Sequence, residues 1–210
     1  RLAYVIYTSG TTGLPKGAVL THGGASNLVA WERETFGLDA GTRTLQFAAL
    51  GFDGTVWELF GTLCSGGRLV VPDSDEERSG DGLASLIERR GVTFVALPPS
   101  VQLTLRGEDS LASVRTLISA GEACLPREVR RWSSRLQYVN AYGPTENVVN
   151  ATIHRFDGTE GAQVPIGCPT TNVATHVVDG FLQRNPVAIP GELCLGGEQV
   201  SRGYFGRARL

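Results

Sequence analysis

Between residues 43 and 142, short apolar runs alternate with segments of helical period, and this alternation constrains the fold more than any other feature of the chain. Thr44–Ala48, Arg68–Val71, Val92–Leu97, Thr116–Ser119 and Gln137–Asn140 read as strands. Helices are expected from an Asp53 N-cap to the Gly66-Gly67 stop, over Leu83–Arg90, just after Pro98-Pro99, and from Pro126. Leu83, Leu86 and Ile87 share one helical face, and Pro126 suits the first turn of a helix carrying Val129, Trp132 and Leu136. Strand–helix–strand order predicts an α/β fold with a helix-covered, largely parallel sheet. Ahead of it, Ala3–Tyr7 and Ala18-Val19-Leu20 read as two strands. Thr21 then caps a helix reaching about Phe36, with Leu28, Val29 and Trp31 among its apolar positions. After Asn150, short strands punctuated by Gly and Pro replace the alternation. The expected division is an α/β part over about residues 1–150 and a β-rich part over about 151–210.

The 210 residues are 41% apolar and 19% charged, which fits a globular chain. A net charge of −2 and scattered Lys and Arg offer no nucleic-acid or phospholipid surface. No apolar run approaches membrane-spanning length. Cys64, Cys124, Cys168 and Cys194 contain no CxxC, and His22, His154 and His176 form no metal-ligand pair. Free, buried thiols in a reducing cytoplasm are expected. The acidic stretch Asp73–Asp81 reads as a solvated loop. A strand at the first residues without a start methionine, and a motif-like stretch at Ser201–Gly206, suggest an excised segment.

The richest chemical signal is Tyr7-Thr8-Ser9-Gly10-Thr11-Thr12-Gly13-Leu14-Pro15-Lys16-Gly17. Glycines let backbone approach a polyphosphate, hydroxyls and N–H groups donate to its oxygens, and Lys16 supplies countercharge. A hairpin loop that happens to hold a lysine is the plainer alternative. The Walker A pattern does not fit, because Pro15 precedes Lys16, Gly17 follows it, and a strand comes next.

This loop resembles the signature phosphate loop of the adenylate-forming superfamily, which includes acyl-CoA synthetases, luciferases and the amino-acid adenylation domains of nonribosomal peptide synthetases. Asn140-Ala141-Tyr142-Gly143-Pro144-Thr145-Glu146 resembles the family's strand-end loop. Gly191-Glu192-Leu193-Cys194-Leu195-Gly196-Gly197 with Ser201-Arg202-Gly203-Tyr204 resembles a later core motif, read here mainly as a β-hairpin with Gly turns. The blocks follow the family's order and cover nearly the whole chain. The resemblance implies part of the large N-terminal domain of such an enzyme. Thr8, Ser9, Gly10, Thr11, Thr12, Gly13 and Lys16 would hold the ATP phosphates. Gly121-Glu122-Ala123, Asn140, Tyr142 and Gly143 would hold adenine, with Tyr142 stacking on it. Thr145 would donate to a phosphate and Glu146 would hold Mg²⁺. Pro144-Thr145-Glu146 also reads as a helix start capped by Thr145.

Phe52-Asp53-Gly54-Thr55-Val56-Trp57-Glu58 narrows the substrate. Asp53 and Trp57 are four apart and share a helical face. An N-cap aspartate and a core tryptophan would explain them locally. The block resembles the adenylation-domain version, whose aspartate pairs with the substrate's α-ammonium. Alignment of the motifs then implies a side-chain pocket of Gly54, Trp57, Ala96, Ile118, Ala120, Ala141, Val149 and Asn150. Small residues leave volume, Trp57 and Ile118 supply apolar walls, and Asn150 supplies one polar group, which suits a large aromatic side chain. The implied partners are an amino acid, ATP, and a peptidyl carrier domain bearing phosphopantetheine. The family's ribose-binding aspartate, hinge and C-terminal lysine are not found here, so the segment alone is expected to be inactive. Another adenylate-forming acid ligase, such as an acyl-CoA synthetase, and a silent nucleotide-binding module remain the alternatives.

Overall fold

A computed structural model describes residues 1–9, 13–107, 109–157 and 164–207. Strands β1 (Leu2–Thr8) and β2 (Lys16–Thr21) pair antiparallel, with Thr8 opposite Lys16. Helix α1 (His22–Phe36) starts at Thr21, whose Oγ1 accepts the Gly24 N–H at 3.1 Å, and stops at left-handed Gly37. The order continues through β3 (Arg43–Leu45), α2 (Gly54–Val56), a π-helical turn at Trp57–Gly61, α3 (Thr62–Cys64), β4 (Arg68–Val70), α4 (Gly80–Arg90) and β5 (Phe94–Leu97). Then come α5 (Pro99–Gln102), β6 (Thr116–Ser119), α6 (Pro126–Trp132), β7 (Gln137–Tyr142), β8 (Thr152–Arg155), β9 (Cys168–Pro169), β10 (Val173–Val178) and β11 (Glu192–Gly197).

Among the described residues the main sheet has the order β4-β3-β5-β6-β7-β8-β9. β3 to β7 run parallel, while β8 and β9 extend the sheet antiparallel, so it crosses residue 150 without a break. Alternation along the strands divides the core in two, because successive side chains point to opposite faces. Val95, Leu97, Leu117 and Tyr138 pack with Leu83, Leu86 and Ile87 of α4 and Val129 and Trp132 of α6. On the other face Phe94, Ile118, Val139 and Ala141 pack with Leu28 and Trp31 of α1, with Trp57, and with Ala18 and Leu20 of β2. Burial on both faces explains why the parallel strands are near-continuous apolar runs.

Several expectations change. Asp53 stands at the N-cap position of α2 without forming the expected side-chain cap: its backbone is already helical and its carboxylate accepts the Thr145 hydroxyl at 2.7 Å. Thr145 is therefore no helix cap either, and Thr145–Asn147 is a short 3-10 turn. The first main-sheet strand stops at Leu45 rather than Ala48, since the Ala48 N–H is taken by the Glu58 carboxylate at 3.1 Å. β11 pairs with β10 rather than with its own continuation, so Glu192–Gly203 is no self-contained hairpin. The four free thiols are less buried than expected: Cys64 and Cys168 are exposed, Cys124 and Cys194 half-buried.

One connection is strained. After the 3-10 turn, Val148 (φ 45) and Val149 (φ 69) are both left-handed, a region β-branched residues rarely enter. Wholly buried Gln199 holds the turn. Its Nε2 donates to the Asn150 carbonyl at 2.6 Å and to the Asn147 carbonyl at 3.2 Å, and its Oε1 accepts from Asn27 Nδ2 of α1 at 3.0 Å. Close approach of α1 needs Gly24, where a β-carbon would lie 2.8 Å from Val148 Cγ2. We expect Gln199→Ala to lower unfolding stability by about 2 kcal/mol, the typical cost of orphaning a buried polar group. Urea unfolding measures it, and amide exchange at Asn150 and Ala151 should quicken in the same variant.

Candidate active site

The C-terminal ends of β5, β6 and β7 open into a cavity of about 810 Å³, roofed by the helix through Gly54, Trp57 and Glu58. This is where parallel α/β sheets hold ligands, because the strand ends splay into loops there. On the inner side the wall is made by Asp53, Gly54, Trp57, Ala96, Ala120, Ala141, Val149 and Asn150. Ile118 does not reach it. It is fully buried in the apolar layer beneath, and β6 meets the cavity two residues further along the same face, at Ala120. On the outer side lie Gly121, Glu122, Ala123, Asn140, Tyr142 and Gly143. Glu122 is anchored by the Ser100 N–H at 3.0 Å and its hydroxyl at 2.7 Å. Asn140 donates to the Pro165 carbonyl at 2.8 Å, and the Tyr142 ring is 41% exposed, available to a flat ligand.

Thr8, Ser9, Gly13, Lys16, Thr145 and Glu146 are not on the wall of this cavity, though Thr145 bonds to Asp53, which is. Gly10, Thr11 and Thr12 lie outside the described residues. Thr8 and Lys16 face each other across the β1–β2 pair, and Gly13 is left-handed (φ 80). Lys16 Nζ is 5.4 Å from the centroid of the Tyr204 ring. Tyr204 in turn donates its hydroxyl to Glu146 Oε1 at 2.7 Å, and the Ser201 N–H donates to the Glu146 carbonyl at 2.7 Å. The third sequence block thus brings Tyr204 to Lys16 and Glu146. The nearness of Tyr204 to Glu146, 58 residues away in the chain, has no local signal.

Electrostatics differ across the cavity. Burial pushes the Asp53 carboxyl above the ordinary carboxylate range. Hydrogen bonds from Thr145 and from backbone N–H groups pull it back, and the Glu146 charge pushes it further up. No Lys or Arg is on the cavity wall among the described residues. Glu58, the last residue of the Phe52–Glu58 block, also lines the cavity. Burial raises its carboxyl to about 7, against the backbone N–H groups of Ala48 and Phe47, Gln46 and Arg78. Among the described residues no group of three or more His, Cys, Asp or Glu could hold a metal ion, and no helix is long and apolar enough to cross a membrane.

A family model described as AMP-binding enzyme matches residues 1–205. The chain belongs to this family. It is 46% identical over 208 residues to the probable non-canonical nonribosomal peptide synthetase CymA of Salinispora arenicola, covering 99% of this chain and 3% of that protein. Its fold is similar to that of the nonribosomal peptide synthetase FmoA3, with a TM-score of 0.92 and 30% identity, over 99% of this chain and 23% of the other. FmoA3 has also been solved in an AMPPNP-bound form. PA1221, a nonribosomal peptide synthetase protein containing adenylation and PCP domains, gives a TM-score of 0.87 at 31% identity over 97% of this chain and 36% of its own. The chain therefore spans only a small part of the relatives it matches. The α/β fold with a mostly parallel sheet is the one these relatives have.

Within the AMP-binding frame, Glu58 gives a pH signature. Its unfolded carboxyl ionises near the ordinary 4.5, whereas the folded one keeps its proton to about 7. Over that window the folded state binds more protons, so stability is full at acid pH and declines as pH rises through 7. The loss is on the order of 3 kcal/mol. Buried Glu32 shifts in the same direction. We expect a higher Tm at pH 5 than at pH 8, with Glu58→Gln flattening part of the difference. Differential scanning calorimetry at both values checks the sign.

Proposed function

We propose that the chain is the ATP- and substrate-binding part of an amino-acid adenylation domain of a nonribosomal peptide synthetase. The observation that carries this reading is Asp53. Its carboxylate is partly withdrawn from water on the wall of a mainly apolar cavity, aimed by Thr145, with no Lys or Arg on that wall among the described residues. A buried anion of this kind favours an incoming cation, and an α-ammonium brings one. A fatty or aryl acid would leave it unpaired, which disfavours an acyl-CoA synthetase. The small residues Gly54, Ala96, Ala120 and Ala141 leave room for a large side chain, Trp57 and Val149 line it with apolar surface, and Asn150 adds a polar group. A large, aromatic amino acid fits this lining.

In this reading adenine lies along Gly121–Ala123, Asn140, Tyr142 and Gly143, and the phosphates meet Thr8, Ser9, Lys16 and the intervening loop. The amino-acid carboxylate attacks the α-phosphorus, pyrophosphate leaves, and an aminoacyl-AMP results. The carboxylate is already the nucleophile, so the protein's part is alignment and charge neutralisation. Glu146 would hold Mg²⁺, which supplies further neutralisation of phosphate charge. A single carboxylate fits this ion, which usually combines one or two carboxylates with phosphates and waters. Tyr204, bonded to one Glu146 oxygen, aims the other. The aminoacyl group would then pass to the phosphopantetheine thiol of a carrier domain, in the cytoplasm. The AMPPNP-bound form of one relative and the PCP domain of another support this reading.

The first test compares amino acids with their des-amino analogues in the intact adenylation domain. A charge-assisted hydrogen bond contributes about 1.5–3 kcal/mol, so Asp53→Ala should lose at least about tenfold with the cognate amino acid and far less with the analogue. Equal loss with both would reduce Asp53 to a structural partner of Thr145.

A second test separates the phosphate cluster. Lys16→Ala should weaken ATP use at every Mg²⁺ concentration. Glu146→Gln and, more mildly, Tyr204→Phe should instead raise the Mg²⁺ needed for half-maximal ATP–pyrophosphate exchange. A Tyr204→Phe titration that overlays the wild type would remove Tyr204 from the site.

A further inference from the structure

Helix α1 presents its polar face to solvent except at Glu32, which is 0% exposed. Neither carboxyl oxygen of Glu32 has a formed hydrogen bond or ion pair within the described residues. Such a group is costly unless the fold uses it. Its surroundings are specific. The carboxyl occupies the place where a side chain at Gly61 would be, since a β-carbon built on Gly61 would overlap it. Gly61 closes the π-helical turn that begins at Trp57, and π turns inside helices concentrate at functional sites.

The Trp57 indole N–H is likewise buried without a formed hydrogen bond, and it faces the Glu32 carboxyl. The rest of the ring is boxed in by the same helix. Phe36 stacks on it at 6.3 Å and 30°, and Trp31 lies 6.3 Å away. Trp57 thus has one side in the cavity and its other contacts on α1. Burial drives the Glu32 carboxyl well above the ordinary range, the indole N–H lowers it, and the Glu58 charge raises it again.

We propose that Glu32 is a positioning residue for substrate choice: through the Trp57 indole, and in the space left by Gly61, it sets which amino-acid side chains the cavity accepts. The inference rests on reading the cavity as the amino-acid site. Glu32 itself never touches the substrate, since it is absent from the cavity wall. Its leverage comes from the ring it aims. A tryptophan is the largest side chain on that wall, and a change in its tilt redistributes the volume left by Ala96, Ala120 and Ala141.

The test uses the intact adenylation domain and a panel of aromatic and aliphatic amino acids, with KM for amino acid and for ATP measured separately. Glu32→Leu removes the acceptor, and Gly61→Ala leaves Glu32 in place but evicts its carboxyl. Both should change the kcat/KM ratio between large aromatic and smaller aliphatic substrates by at least tenfold, with the ATP KM within about twofold of wild type. Glu32→Gln keeps the shape of the side chain and an oxygen that can face the indole N–H, so it should keep wild-type selectivity. In a Trp57→Phe background, Glu32→Leu should add no further change in selectivity, which a merely structural role would not produce. If Glu32→Leu does not fold, Gly61→Ala and Glu32→Gln decide the matter. Unchanged selectivity in folded Gly61→Ala, a Glu32→Gln variant that loses selectivity, or parallel loss for every amino acid and ATP would each overturn the proposal. The panel reads ratios, so it stands whichever side chain the wild type prefers. A failure of the ammonium reading would surface instead in the Asp53 comparison.

Discussion

Strict two-residue alternation along β5, β6 and β7 is the constraint from which the rest of the molecule follows. On one face the strands carry Val95, Leu97, Leu117 and Tyr138, which fill the space under α4 and α6. On the other they carry Ala96, Ala120 and Ala141 near their ends, which cannot fill it. Close packing is the norm in protein interiors, so a run of small residues on a buried face has to end in a cavity or a collapse. The helix through Trp57 prevents collapse by bridging the gap. A slip of one residue in β6 would exchange Ala120 for Ser119 on the wall and turn Ile118 onto the opposite face.

Around that cavity the polar contacts join segments distant in the chain. Asp53 meets Thr145, Glu146 meets Tyr204, and Lys16 lies over the same tyrosine. Each carboxylate in the cluster has a neutral hydroxyl donor, not a cation, as its near partner. A hydroxyl aims a carboxylate without neutralising it. Asp53 lines the cavity, while the tyrosine that donates to Glu146 has the Lys16 Nζ 5.4 Å from its ring centroid.

How far the sequence could be read depended on whether the deciding contact was local. The Thr21 cap, the α4 face of Leu83, Leu86 and Ile87, and strand β6 all rest on near neighbours, and all were found as expected. The motif blocks pointed to the wall residues because backbone spacing at strand ends is itself local. Asp53 looked like a helix cap for the same reason, and only Thr145, 92 residues further on, shows otherwise. Glu32 carries no local sign of its burial, since the gap that receives it is at Gly61, on another helix. The π turn has no sequence sign at all. Nor could β8 and β9 be joined to the main sheet in advance, because short strands between glycines pair equally well with any open edge.

The two left-handed valines bear on how such a protein changes over time. Each non-glycine residue in that region stores on the order of 1–3 kcal/mol of backbone strain. Glycine or asparagine at either place would relieve it, so two of the strain-relieving replacements open to the chain fall on or next to the cavity wall. Val149 is itself part of that wall, and Asn150 follows it. Thermal robustness and ligand range are thus coupled through one pair of dihedral angles. A lineage selected for robustness would drift in what it binds, and a directed library at this turn should be screened for both properties at once.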